Sequence, residues 1–496
     1  MTAVPTYEDV WKLKKGSNQF ETVTMRNFRY VELIGLDDTT EDAIINNPDS
    51  ILGWAMEQAF DEEISDFTAD DGSEASTLLN RLYDLSKYSI KATDQDVYTD
   101  SQARERAPYE GDLLVNSNTS YSVIDQYALA RHSNEWLIDN PTWPNDYSLF
   151  SVEMAYWDYI YTGNTDSISE YYDALKKKLT VKVNKEDSAT GLIRANGSQA
   201  GNSAIIDWPV SERDGYQTGY YDVVYNSEYV GIYQCMAELS TALGKTEDAE
   251  NYQKKADKLK TTLLQYAYDS DNGCFYDALQ EDLTPVKHSS THASAYALTY
   301  GVFKDQAMAD ELSAFVYENC KTEFKGSVYA TYFILKGLYK GNHGDYAEKL
   351  MTNPKVGTDV KTFASLLDDL NCTITPEAWG HKYKGNMTLS HPWGASPGCS
   401  IVQGMFGIIP VKAGFEEFTI KLQPGSITAA SVKAPSIRGT IEASYQYELQ
   451  EGLEMETVTA EVFIPVNTTA HVYVPSEENT VLRVDGKKTD VEAEDG

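Results

Sequence analysis

The sequence predicts a mainly α-helical protein: an (α/α)6 barrel, a toroid of six helical hairpins, with a smaller C-terminal antiparallel β-sandwich and a short N-terminal β segment. Three observations predict it. Between about residues 50 and 410, apolar residues recur at helical spacing in segments joined by short loops, so neighbouring segments pack as antiparallel pairs. No repeat of fixed length runs through these segments, which disfavours a solenoid. From about residue 411 the apolar spacing changes to every second residue, the period of half-buried strands. With 496 residues and 42% hydrophobic content the chain exceeds one compact domain and can bury a large core. The expected division is 1–40 for the N-terminal β segment or linker, 41–410 for the barrel and 411–496 for the sandwich.

Taken in order, Phe20–Thr24 and Phe28–Leu33 alternate and are expected to be strands, although two strands alone do not fold stably. Ser73–Thr93 carries Leu78, Leu82 and Leu85 on one face. Ser120–Leu137 is expected as one helix through Val123, Tyr127 and Ala130. Helices over Tyr147–Tyr161, Ile168–Leu179 and Asn226–Leu243 follow. Gly244 ends the last of these, and Thr246 is placed to cap the next, which runs to about Tyr268. Further helices are expected to begin near His292, Asp305, Ser327, Asp345, Lys361 and Cys399. Phe418–Leu422, Gly439–Ala443, Val458–Ile464 and Ala470–Val474 alternate as strands of the sandwich.

Composition excludes some function classes. A net charge of −35 argues against nucleic acid and anionic membranes as partners. No apolar run approaches the ~20 residues of a membrane span, and Met1–Lys15 lacks the apolar core of a signal peptide. The 5 cysteines are odd in number, scattered and without a CxxC pair. They imply neither a disulfide framework nor a zinc site, and fit a reducing, cytoplasmic compartment. Asp269–Gly273 superficially resembles a calcium loop, but its glycine is one place early and no bidentate glutamate follows. It is expected to be a tight turn, as is Asp187–Leu192. Neither a metal nor another cofactor is expected; a homo-oligomer is left open.

Asp100–Asp112 reads Asp-Ser-Gln-Ala-Arg-Glu-Arg-Ala-Pro-Tyr-Glu-Gly-Asp, with four carboxylates, two arginines and an aromatic in thirteen positions. Pro108 and Gly111 are expected to keep it out of a helix, and the apolar run Leu113–Val115 behind it marks an entry into the core. It resembles the signature loop of the family 78 glycoside hydrolases, the bacterial α-L-rhamnosidases. The resemblance implies that Glu105, between Arg104 and Arg106, is the general acid, and that Asp100 and Asp112 bind sugar hydroxyls. Phe28-Arg29-Tyr30 resembles the end of the β-sandwich that precedes the barrel in that family.

Glycoside hydrolysis requires a second carboxyl group facing the first across the anomeric carbon. Glu377, in Thr373-Ile374-Thr375-Pro376-Glu377-Ala378-Trp379, is the candidate. With Ser390-His391-Pro392-Trp393-Gly394 it resembles the family segment whose glutamate is the general base and whose histidine lines the sugar site. Pro376 stands where the family often has an aromatic. A third match is Ile206-Asp207-Trp208-Pro209; an Asp-Trp pair at this point is common in the family, and the resemblance implies that Asp207 and Trp208 bind the substrate, the tryptophan packing against the sugar.

These matches imply an inverting exo-glycosidase acting on terminal α-L-rhamnosides. Its two carboxyls are expected ~6.5–9.5 Å apart, leaving room for a water. At least one of Arg104 and Arg106 is expected to pair with an aspartate, leaving Glu105 in a less polar setting with a raised pKa. Tyr109, Trp208 and Trp393 are candidate walls for the rhamnose methyl. The alternatives are another glycosidase on the same toroid, for a glucoside or an unsaturated uronide, and a catalytically inactive carbohydrate-binding relative.

Overall fold

The computed structural model describes residues 7–142, 145–195, 204–449, 456–475 and 481–489. Among the described residues, twelve helices form two concentric rings, alternating outer and inner along the chain. They are α1 Glu74–Thr93, α2 Glu110–Val123, α3 Tyr127–Asp139, α4 Tyr147–Thr162, α5 Asp166–Val181 and α6 Val223–Ala242, then α7 Thr246–Tyr266, α8 Thr291–Thr299, α9 Gln306–Cys320, α10 Thr331–Lys340, α11 Gly344–Met351 and α12 Ser396–Cys399. The last continues as a π-helical turn, Ser400–Met405. The even-numbered helices close the inner ring, each packing on the next and α12 returning to α2. The six-hairpin expectation holds.

The two rings differ in what their sequences can bury. Outer α1 is amphipathic: Leu78, Leu79, Leu82, Tyr83 and Ile90 face inward, and the Ser73 side chain caps it by accepting from the Ser76 N–H (3.0 Å), a cap worth ~1 kcal/mol. Inner α2 and α8 are buried at every position, with no polar face left. The inner ring is drawn tight by small residues. A side chain at Gly398 would meet the Ser86 Cβ at 2.9 Å and the Thr119 Cγ2 at 3.0 Å.

The expected helix over Ser120–Leu137 is two helices. The chain leaves α2 at Ile124 and re-enters a helix at Tyr127, because here it turns from the inner ring to the outer. Gly111 is likewise not a helix breaker. It lies in the first turn of α2, where a Cβ would overlap the Tyr147 ring.

The C-terminal sandwich has a four-stranded sheet in the order β1-β4-β5-β6 and a three-stranded sheet in the order β7-β3-β2. The strands are β1 Asp66–Ala69, β2 Ile409–Pro410, β3 Glu417–Lys421, β4 Ala429–Ala434, β5 Ile441–Leu449, β6 Glu456–Phe463 and β7 Thr469–Tyr473. Two features depart from the sequence reading. β1 comes from before the barrel, setting Phe67 opposite Val432. β7 runs parallel to β3, with Thr469 opposite Glu417, because the chain crosses the other sheet before it returns.

Phe20–Thr24 and Phe28–Leu33 are not strands; both stretches are irregular and largely exposed. A strand needs a ladder partner for its N–H and C=O groups, and among the described residues none is offered. Asp269–Gly273 is the tight turn expected, with Gly273 at φ +61° and the Asp269 carboxylate accepting from Asp271 N–H (3.2 Å) and Asn272 Nδ2 (2.9 Å). Asp187 closes its turn in the same way, accepting from Ala189 and Thr190 N–H (2.9 and 2.8 Å).

Candidate active site

The segments that precede the inner helices gather at one end of the barrel. Asp100–Tyr109 leads into α2, Asp207–Asp222 precedes α6, Gly326–Ala330 precedes α10 and Glu377–Trp393 precedes α12. Helix N-termini carry unpaired N–H groups and partial positive charge, so this end suits carboxylates.

The side chain of Arg104 is 6% exposed and forks between two carboxylates. One arm donates to Glu105; the other donates to Glu377 Oε1 at 2.6 Å. Two residues 272 positions apart are thereby held one guanidinium from each other. Their settings differ. The Glu377 side chain is 4% exposed, whereas that of Glu105 is 41% exposed.

Glu377 is enclosed by donors. Lys384 Nζ stands 3.3 Å from Oε1. The Thr388 N–H donates to Oε2 at 2.8 Å. Burial alone would raise its pKa. His391, Lys384, the Thr388 amide and Arg104 outweigh burial and hold it below the ordinary glutamate value. His391 is fixed at both ring nitrogens, by Asp112 Oδ1 (2.8 Å) and Thr388 Oγ1 (3.1 Å). Burial opposes its charge, but Asp112, Glu377 and Asp100 prevail and raise its pKa. The Trp393 indole lies against the His391 ring (4.4 Å between centroids) and donates to the Glu377 carbonyl at 3.2 Å.

The Asp100–Tyr109 loop is held from inside by Asp100. Its N–H donates to the Ala107 carbonyl (2.8 Å), and its carboxylate accepts from the Ala107 N–H (3.0 Å) and Ser101 Oγ (2.8 Å). Burial pushes its pKa up to about 6, with Asp112 adding to the rise and His391 opposing it. Tyr109, half-buried, has its phenol pKa raised by burial and by the charges of Glu105 and Asp100.

The expected pairing of an arginine with an aspartate does not occur. Arg104 serves two glutamates, and Arg106, at φ +55°, turns its Nη2 to the Met25 carbonyl (3.0 Å) and Tyr7 Oη (3.2 Å). The aspartates draw their donors from backbone, Ser101 and His391 instead. Glu105 thus lies at a half-open lip beside a guanidinium rather than in a less polar pocket.

The barrel that carries these loops matches a known family. The family model described as the bacterial alpha-L-rhamnosidase 6 hairpin glycosidase domain matches residues 73–402. The chain belongs to this rhamnosidase family. The bacterial alpha-L-rhamnosidase C-terminal domain matches residues 407–489. An alpha-L-rhamnosidase of Formosa agariphila is 23% identical over 94% of this chain and 49% of its own length. The chain spans about half the length of the curated relatives it matches. The GH78 family rhamnosidase of Bacillus sp. GL1 shares the fold at a TM-score of 0.68 and 18% identity, over 84% of this chain and 43% of that one. The Streptomyces avermitilis alpha-L-rhamnosidase, solved with L-rhamnose, does so at 0.65 and 19% identity, over 88% and 41%.

Of the residues expected at the rhamnosidase site, Asp100, Arg104, Glu105, Tyr109, Asp112, Glu377, His391 and Trp393 come together around Arg104 and His391. Trp208 joins them at one remove: Lys384 Nζ stands 5.6 Å from its ring. Asp207 does not face the cleft. It is fully buried, and its oxygens accept from His292 Nε2 (2.8 Å), Ser327 N–H (2.8 Å), Ser327 Oγ and Trp208 N–H (2.7 Å). It anchors the turn that presents Trp208. Ile206 before it sits at φ +60°, a conformation costing a β-branched residue about 1–3 kcal/mol. The Asp146 carboxylate and Tyr296 hydroxyl hold that turn through the Ile206 N–H (3.1 Å) and C=O (3.0 Å). Trp393 is 4% exposed and underlies the site instead of forming an open wall.

Lys384 and Thr388 were not anticipated. Their signal was the polar stretch His381–Thr388, between Glu377 and His391. Among the described residues no group of three or more His, Cys, Asp or Glu is placed to hold a metal, and no helix is long and apolar enough to cross a membrane.

Proposed function

We propose that the chain is an inverting, exo-acting glycoside hydrolase that removes terminal α-L-rhamnose from glycosides. The observation that carries this reading is the pair of glutamates on the two arms of Arg104, one buried and one at the lip. The inverting mechanism requires the two carboxyls to stand ~6.5–9.5 Å apart, with a water beside Glu377.

Glu377 is the general base: four donors or cations favour its ionised form, so it accepts a proton from water. Glu105 is the general acid and protonates the leaving oxygen. Its contact with Arg104 is the exposed one, and exposed ion pairs are worth only ~0–1 kcal/mol. A sugar entering the cleft parts Glu105 from the guanidinium, while Arg104 stays on buried Glu377. Asp112 fixes the His391 ring, and the half-buried faces of Tyr109 and Trp208 offer the apolar surface a 6-methyl needs. The uronide alternative would need a cation aimed at the sugar carboxylate; Arg104 and Lys384, the cations beside Glu377, are both engaged with it. The five thiols are all free, which supports a reducing compartment.

The test is turnover of 4-nitrophenyl α-L-rhamnopyranoside followed by proton NMR. The first sugar formed should be β-rhamnose. Initial release of the α-anomer would overturn the inverting mechanism. Cleavage of glucosides or uronides but no rhamnoside would overturn the substrate.

A further inference from the structure

The irregular segment before the barrel touches both catalytic loops. On the acid side, Arg106 is the neighbour of Glu105. Its Nη2 donates to Met25 O at 3.0 Å and Tyr7 Oη at 3.2 Å. Gln95, just before the loop, donates from Nε2 to Met25 Sδ at 2.8 Å. On the base side, Arg29 donates to the carbonyl of Asn371, six residues before Glu377. The segment is itself clasped. Arg26 pairs with Asp9 at 3.2 Å and lies 4.8 Å from the Tyr7 ring centroid, bringing residues 7–9 against residues 25–26. Between them Trp11 stacks on Phe20, with centroids 4.5 Å apart and planes 7° off parallel.

We propose that Tyr7–Arg29 is a strap that positions the two catalytic loops, through Arg106 on the acid side and Arg29 on the base side. The inference rests on the hydrolase reading above. Physically, the acid loop needs such a tether. Glu105 stands on a half-exposed stretch between Asp100 and Pro108, closed from within by Asp100, by Gln102 on the Ala92 carbonyl and by Arg104 on Glu377. Arg106 sits in the left-handed region at φ +55°, which a non-glycine residue holds only when its surroundings fix it. Fastening its guanidinium to a backbone carbonyl sets the direction in which the preceding residue points. Arg106 and Arg29 reach none of the reacting groups; they are positioning residues.

A positioning role for an acid is visible in substrate choice. A nitrophenolate leaves without a proton, whereas a sugar alcohol does not, so misplacing Glu105 penalises the second substrate more. Arg106→Ala and Tyr7→Phe should lower kcat for a rhamnosyl disaccharide at least tenfold more than for nitrophenyl rhamnoside. Arg106→Lys should restore part of that difference. Arg29→Ala, acting on the base loop, should lower kcat for both substrates alike. Equal losses on the two substrates for the Arg106 variants would overturn the acid-side role. Hydrogen exchange in the same variants supplies a readout independent of turnover. Amides 100–109 should lose protection in Arg106→Ala, and amides 371–377 in Arg29→Ala. Unchanged protection would overturn the strap even if no rhamnoside is cleaved; a wild type inactive on every rhamnoside would overturn the hydrolase reading while exchange still decides the strap.

Discussion

The loops that carry Glu105 and Glu377, the acid and the base of the proposed mechanism, are built in opposite ways. Glu377 is buried and surrounded: Arg104, Lys384, the Thr388 amide and His391 all favour its anion, and Trp393 holds its backbone. Glu105 is half exposed, and its side chain meets Arg104 and the Tyr109 phenol. The difference teaches how the proposed mechanism divides its chemistry at one barrel end. A base has to stay charged, which the buried cations around Glu377 favour; an acid has to hold and release a proton, which the half-exposed setting of Glu105 favours. On that proposal Arg104 belongs permanently to Glu377 and conditionally to Glu105.

The largest expected effect would break this contrast outright. Glu377→Gln and Glu105→Gln should each lower kcat on a rhamnosyl disaccharide by ~10²–10⁴, measured in initial rates. Arg104→Ala comes next. It leaves buried Glu377 with Lys384, the Thr388 amide and His391, and removing one partner of a buried pair costs about 3–5 kcal/mol. Chemical denaturation should show a loss towards that range; a loss below ~1 kcal/mol would mean that Lys384 suffices.

Asp100 gives a smaller, pH-dependent effect. Its folded pKa, raised to about 6, means the fold disfavours its charge. That group's contribution is most favourable below the unfolded value and is lost as pH rises through 6. Asp100→Asn should therefore gain stability relative to wild type between pH 4.5 and pH 7.5, by at most about 3 kcal/mol, read as the difference in Tm. No relative gain would contradict the burial account. Smallest is Lys384→Met. Removing that cation raises the Glu377 pKa, so the acidic limb of the kcat profile should move to higher pH by under about one unit.

The amphipathic helices were legible in the sequence, and so were two inner ones, α4 and α6, whose bounds were read to within three residues; α2 was not. α1 and α7 carry an apolar stripe against a polar face, and their bounds were read to within a few residues. α2 is buried on every side, so Leu113–Val123 shows no stripe; its last residues were merged with α3 across the exposed break at Asp125 and Gln126. Glu105 and Glu377 were singled out because their residue patterns resemble family segments. Those patterns carried no information on the setting of Glu105, which depends on the three-dimensional neighbour Glu377. Asp207 was misassigned for a similar reason: its partners His292 and Ser327 lie 85 and 120 positions away. The parallel pairing of β7 with β3 was also invisible to alternation, which sets the buried face of a strand but not its partner.

The division of labour between the two glutamates is tested most directly by comparing leaving groups. Initial rates on nitrophenyl rhamnoside and on a rhamnosyl disaccharide would be measured for wild type, Glu105→Gln and Glu377→Gln. The account predicts that Glu105→Gln loses far more on the disaccharide than on the nitrophenyl substrate, while Glu377→Gln loses equally on both. The reverse pattern, or the same ratio for both variants, would contradict it.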